Sequence, residues 1–191
     1  QTTVPGLYAA GDVSLVARAH LSGAFTFGQI TAENATEYAS TLPDMPLDEE
    51  QVLEVIRDRD AKLAQADGKI PIEEFEYKVR LINDYIRPPK NEYKLDRALW
   101  WMDRFKKELR TDVRIANKHD LFKAYEVENI IHCAAMSALA SKERKESRWG
   151  LWHMRSDYPM KDDEHWMKHI VLKQGDSFDD IRISYAPIIK M

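Results

Sequence analysis

Glu92-Tyr93-Lys94-Leu95-Asp96-Arg97-Ala98-Leu99-Trp100-Trp101-Met102-Asp103-Arg104-Phe105-Lys106-Lys107-Glu108-Leu109 decides the fold class of this chain. Leu95, Leu99, Met102, Phe105 and Leu109 recur at spacings of three and four, with Lys, Arg and Glu between them, which predicts an α-helix with one buried face. The flanking segments repeat the pattern. Upstream, Ile72, Phe75, Val79, Ile82 and Ile86 predict one amphipathic helix, entered through Asp67-Gly68-Lys69-Ile70-Pro71 and ended by Pro88-Pro89. Before it, Asp48 can cap a helix that has Glu49 and Glu50 in its first turn and Val52, Val55, Ile56 and Leu63 as its stripe. Downstream, Asn117-Lys118-His119-Asp120 opens a fourth helix that runs to about Ser141, with Leu121, Tyr125, Ile130, Ile131, Ala134 and Ala138 as apolar positions. Cys133, inside that helix, reads as a core residue. Amphipathic helices with short connections pack as an up-down bundle.

The chain has 191 residues, 44% of them hydrophobic, enough for one real core with a small appendage. Twenty-eight basic against 32 acidic residues give a net charge of -4, which argues against a dedicated nucleic-acid binder. No apolar run approaches the length of a transmembrane helix, and the start lacks the character of a signal peptide, so a cytoplasmic chain is expected, with contact to a membrane only through partners. The single cysteine excludes a disulfide framework and any four-cysteine metal or iron–sulfur site. Gln1 in place of an initiator Met reads as a fragment or a processed chain.

The ends of the chain carry the chemistry. Residues 7–10 read as a short apolar strand, entered by Pro5-Gly6 and left through Gly11-Asp12. Such an exit can offer a carboxylate to a ligand hydroxyl, or it can be a turn with a solvated acid. Ser22 and Gly23 are small enough for a flat ligand to approach the backbone, and a helix from Ala24 and Phe25 would point its N-terminus at it; an ordinary loop-to-helix junction is the alternative. Leu42-Pro43-Asp44-Met45-Pro46 marks the boundary with the bundle. After the bundle, residues 144–159 hold Arg144, Arg148, Arg155, His153, Trp149 and Trp152. The arginines could bind a carboxylate, phosphate or sulfate, or salt-bridge nearby acids and cement the tail. Asp162-Asp163-Glu164-His165 follows no established metal-ligand spacing and reads as a capped turn before a short helix; no metal site is assigned. Residues 170–172 and 181–185, around a turn-rich segment, predict a β-hairpin that must rest on something larger.

T-x-x-P-G-L-Y-A-A-G-D at the start resembles the last flavin-contacting segment of two-dinucleotide-binding-domain flavoproteins. R-K-E-S-R, H-x-R-x-D-Y-P, D-D-E-H-W-M-K-H and I-S-Y-A-P-I-I are similar to the C-terminal region of the flavoprotein (alpha) subunits of the succinate dehydrogenase and fumarate reductase family. The spacer between Arg148 and Arg155, and the Ser22-Gly23 segment in place of R-L-G-G-N-S-L, look more like dissimilatory adenylylsulfate reductase alpha subunits. The resemblance implies FAD as cofactor, with Gly11 and Asp12 at its ribityl chain and Ser22, Gly23, Ala24 and Phe25 at its N1/O2 edge. It implies His20 and Arg18 as the catalytic positions orienting a small anionic substrate, and Arg148, His153 and Arg155 as substrate or domain-docking residues. It also implies a FAD-binding domain or subunit and an iron–sulfur electron-transfer subunit as partners.

The expected fold is therefore mainly α: a helical bundle of three to four helices (residues 47–141), preceded by a strand–helix edge of a FAD-binding domain (residues 1–42) and followed by an Arg/Trp-rich tail and β-hairpin packing on the flavin domain (residues 142–191). No G-x-G-x-x-G follows a strand, so the flavin site must be completed outside this chain, which is not expected to turn over alone. The alternative is a non-catalytic helical interaction subunit that binds a flavoprotein or iron–sulfur partner. A stand-alone enzyme using His153 and Asp157 is the weakest reading, since adjacency in sequence says little about catalytic geometry.

Overall fold

The computed structural model describes residues 1–14, 21–175 and 180–188. The chain divides into two compact units, Gln1–Val52 and Leu53–Met191.

In the first unit the Pro5-Gly6 turn closes through a Thr2 N–H bond to the Leu7 carbonyl at 2.8 Å, with Gly6 at φ +80°. Residues 7–10 have no ladder partner among the described residues; Ala10 is extended, and a 3-10 turn, Gly11–Val13, follows. Helix α1, Leu21–Ser40, lies alongside, with the Tyr8 hydroxyl donating to the Asn34 carbonyl at 3.3 Å.

The second unit contains the predicted bundle. Helix α2, Glu49–Leu63, begins at the chain's division, and Asp48 accepts from the Glu50 and Gln51 amides at 3.1 Å, as expected of its cap. Its expected stripe is not a buried face: Val52 and Val55 are exposed, and α2 is held instead by Leu63 against the core, by the Tyr125 hydroxyl donating to Asp58 at 2.9 Å, and by Lys62 between Asp58 and Glu128. The helix expected over residues 72–86 is two, α3 (Ile72–Arg80) and α4 (Asn83–Ile86). Leu81 and Ile82 between them bond three residues back rather than four, a tightening that keeps Ile82 in the core while the chain turns.

Helix α5, Glu92–Thr111, starts at Asn91, whose side chain accepts from the Lys94 amide at 2.8 Å, and it buries Leu95, Ala98, Met102, Phe105 and Leu109. Helix α6, Lys118–Glu143, is capped by Asn117 and buries Ala124, Val127, Ile131, Ala135 and Ala138. Phe75 meets Phe105 edge to face at 5.8 Å. Two expectations fail here: Ile130 and Cys133 are exposed. Apolar residues lie all round α6, so its period does not say which side is inward.

Two short strands, β1 (Ile70–Pro71) and β2 (Val113–Arg114), pair in parallel beside the bundle. Gly68 lies against the backbone of Val113 and Arg114 so closely that a Cβ would collide with it. Gly68→Ala should therefore lower unfolding free energy by about 1–3 kcal/mol, as overpacking does; a urea midpoint equal to wild type would refute it. Strands β3 (Lys168–Gln174) and β4 (Ile181–Pro187) form the predicted antiparallel hairpin, with Ile170 opposite Tyr185 and Leu172 opposite Ile183.

Candidate functional site

The first cluster lies in unit one. Gly11 adopts φ +75°, a conformation that disfavours any side chain, and it faces α1 so that a Cβ there would sit 3.5 Å from that of Ala24. This proximity sets the Gly11–Val13 turn beside the start of α1, the stretch that holds Ser22, Gly23, Ala24 and Phe25. Asp12 and Ser22 are exposed, and the Asp12 carboxylate makes no hydrogen bond among the described residues. The arrangement can offer a carboxylate acceptor beside small residues at a helix start. Arg18 and His20, the expected catalytic positions, lie outside the described residues.

The second cluster lies wholly in unit two, where the tail folds across the end of the bundle. Arg155 is fully buried. Its guanidinium grips Asp157 bidentately at 2.7 and 2.6 Å and donates to the carbonyls of Ser141, Lys142 and Arg144 at 2.6, 3.2 and 3.3 Å. Those carbonyls end α6. Asp157 in turn accepts from the Glu92 amide, the first of α5, at 2.9 Å. The pair thus places a cation at the negative end of one helix dipole and an anion at the positive end of the next. The Arg155 contact holds the Asp157 carboxyl well below its usual value, at about 2.

Glu146, also fully buried, receives Arg144 at 2.7 Å, Arg148 through two bonds at 2.7 and 2.9 Å, and the Asp162 amide at 2.9 Å. Burial alone would raise its pKa, but these bonds, Arg148's foremost, bring it below the ordinary carboxylate value. Arg148 also meets Asp163 at 2.9 Å. Asp162 caps α7, Asp163–Trp166, as expected for those acids. Behind the network Lys90 is buried and donates to Ser141 Oγ at 2.8 Å; burial, then Arg155, lowers its pKa. Burial, with Lys90 the next cause, also depresses His153. Its Nε2 is buried without a hydrogen-bond partner among the described residues.

The structure therefore brings Arg148, His153 and Arg155 into one region, with every contact named for the two arginines lying inside the chain. Glu146 and Lys90 were not picked out in the sequence. Glu146 stands in R-K-E-S-R like any charged-run acid, and nothing around Pro88-Pro89 marks Lys90 as buried.

A helical bundle closed by an arginine-rich tail and a β-hairpin defines the class, and the match follows from it: the chain belongs to the fumarate reductase flavoprotein C-terminal family, whose model covers residues 79–191. The succinate dehydrogenase flavoprotein subunits of Rickettsia conorii and Rickettsia felis are 27% and 29% identical over 201 and 202 residues, each alignment covering 98% of this chain and 33% of the relative. The chain thus spans about a third of the length of the curated relatives it matches. Among solved structures, adenylylsulfate reductase from Archaeoglobus fulgidus superposes with a TM-score of 0.76 at 24% identity, covering 88% of this chain and 29% of that one. An E. coli quinol fumarate reductase chain gives 0.74 at 22% identity, covering 88% and 30%. Both share the fold.

Proposed function

We propose that this chain is the C-terminal portion of a FAD-dependent oxidoreductase that acts on a small anionic substrate, its flavin site completed by polypeptide outside these 191 residues. The observation that carries the reading is the close approach of Gly11 to Ala24, which sets the exposed Asp12 near the start of α1. Those residues fit one edge of a flavin. Asp12 would accept from a ribityl hydroxyl, while backbone N–H groups near Ala24 and Phe25 would favour negative charge at the N1/O2 edge. Bound FAD supplies the two-electron chemistry, and the chain's part is to bind and orient. Arg18 and His20, by their positions in sequence, would hold the anionic substrate.

Arg148, His153 and Arg155 act in docking on this reading. The two arginines are engaged by Glu146, Asp157, Asp163 and helix carbonyls, so they shape the tail for its packing against a flavin domain. An iron–sulfur subunit as electron partner belongs to the same proposal, since the relatives matched are subunits by name.

The test is flavin retention. The chain, mixed with FAD and with the rest of a relative's flavoprotein, is desalted, and visible absorbance is read. Retention by the reconstituted complex, reduced at least tenfold by Asp12→Ala, is expected. Retention indifferent to Asp12→Ala would remove the assignment. FAD held by the chain alone would overturn the shared site.

A further inference from the structure

A pocket of about 580 Å³ opens between the end of α6, the tail and the hairpin. Among the described residues, every ionisable side chain lining it is basic: Arg144, Arg148, His153, Lys168 and His169. The rest of its wall is largely apolar, with Trp149 and Trp166 as its large flat surfaces. A concave, mostly apolar cavity of roughly 300–1,000 Å³ with a few placed polar groups is the usual form of a small-molecule site.

We propose that this pocket binds an organic anion with a flat apolar body. Arg144 and Arg148 are matched by Glu146 and Asp163, but Lys168 meets no carboxylate among the described residues. Its Nζ lies 3.8 Å from the ring centre of Tyr185 and 4.9 Å from that of Trp166, so it is held at the wall by aromatic faces and keeps its charge for a ligand. Ser141, whose Oγ accepts from Lys90, also lines the pocket and has a hydroxyl proton to give.

The rim is in an unfavourable state. The Arg148 amide bonds the His153 carbonyl at 2.8 Å and closes a loop in which Trp149 takes the left-handed conformation, φ +59° and ψ +38°, rare for a bulky residue. Trp149, Leu151 and Trp152 are 80%, 78% and 83% exposed, and His153 Nε2 at the loop's end is buried with no hydrogen-bond partner among the described residues. Strain and an unsatisfied buried group persist where the surroundings over-determine them, which is characteristic of ligand clamps. Here both occur in the loop that carries a wall of the pocket. Trp149 presents a ring with a free face, against which a flat ligand would stack.

The proposal does not depend on flavin, and its test omits FAD, so the two can fail separately. The 191-residue chain is titrated calorimetrically with 1-naphthalenesulfonate, with inorganic sulfate and with uncharged 1-naphthalenemethanol. One saturable site for the sulfonate is expected, at least tenfold tighter than for either control. Lys168→Gln and Trp149→Ala, each checked for a wild-type circular-dichroism spectrum, should each weaken it at least fivefold. Absence of a saturable site, equal affinity for the uncharged compound, or unchanged affinity in whichever variants fold as wild type would each overturn the proposal.

Discussion

Arg155→Ala is expected to lower the free energy of unfolding by about 3 kcal/mol, because it removes a fully buried donor from several helix-end carbonyls as well as the partner of a more exposed carboxylate. The substitution leaves Asp157 without its bidentate partner and takes the donor from the Ser141, Lys142 and Arg144 carbonyls at once. Water cannot readily replace it, because Arg155 has no exposed surface. Urea unfolding followed by far-ultraviolet circular dichroism measures the loss. Arg155→Lys tests the geometry, since a single ammonium cannot reproduce a planar fork, and it should restore less than half of the deficit. A loss below about 1 kcal/mol for the alanine variant would put Arg155 among surface-type pairs.

The second large effect is expected at Glu146. Glu146→Ala strips a shared acceptor from Arg144 and Arg148 and orphans the Asp162 amide, at about 3–5 kcal/mol. Acid should produce part of the same loss in the unmodified chain. The Glu146 and Asp157 carboxyls have folded pKa values below their unfolded ones, so the folded state binds fewer protons and their stabilisation is complete above the unfolded values. It disappears as pH falls through the folded values, which for Asp157 is the span from about 4 to about 2. Stability measured from pH 6 to pH 2 should fall across this span, and Asp157→Asn should flatten the fall. A curve of the same steepness in the asparagine variant would show that other groups carry it.

The bundle was legible because its apolar spacing is periodic where the burial is one-sided. Leu95, Met102, Phe105 and Leu109 announced α5, and Asp48, Asn91 and Asn117 stand where helices begin. Legibility ended wherever burial depended on residues distant in sequence. Val52 and Val55 follow the helical period yet are exposed, whereas Cys133 and Ile130 sit in a helix whose apolar residues point every way. The break after Arg80 leaves the spacing of Ile82 and Ile86 intact, so no pattern could reveal it. The tail arginines were visible as a concentration of charge. Whether they faced a ligand or the chain itself rested on carbonyls up to 14 positions away and on a Glu92 amide 65 positions from Asp157. Lys90 is the extreme case, an ordinary lysine after two prolines that becomes buried only because residues 154–156 pair with it. At the Gly11 cluster the motif was local and visible, but a strand exists only through its partners, and residues 7–10 have none among those described.

The Arg155–Asp157 clasp joins the last turn of α6 to the first amide of α5, and thereby couples two places where helices normally fray. Local opening at either end must break the clasp and so release the other. The terminal amides of these helices should therefore exchange with solvent together, at the rate of a larger cooperative opening rather than that of independent fraying. In this chain the tail is what makes the bundle a single unit of exchange.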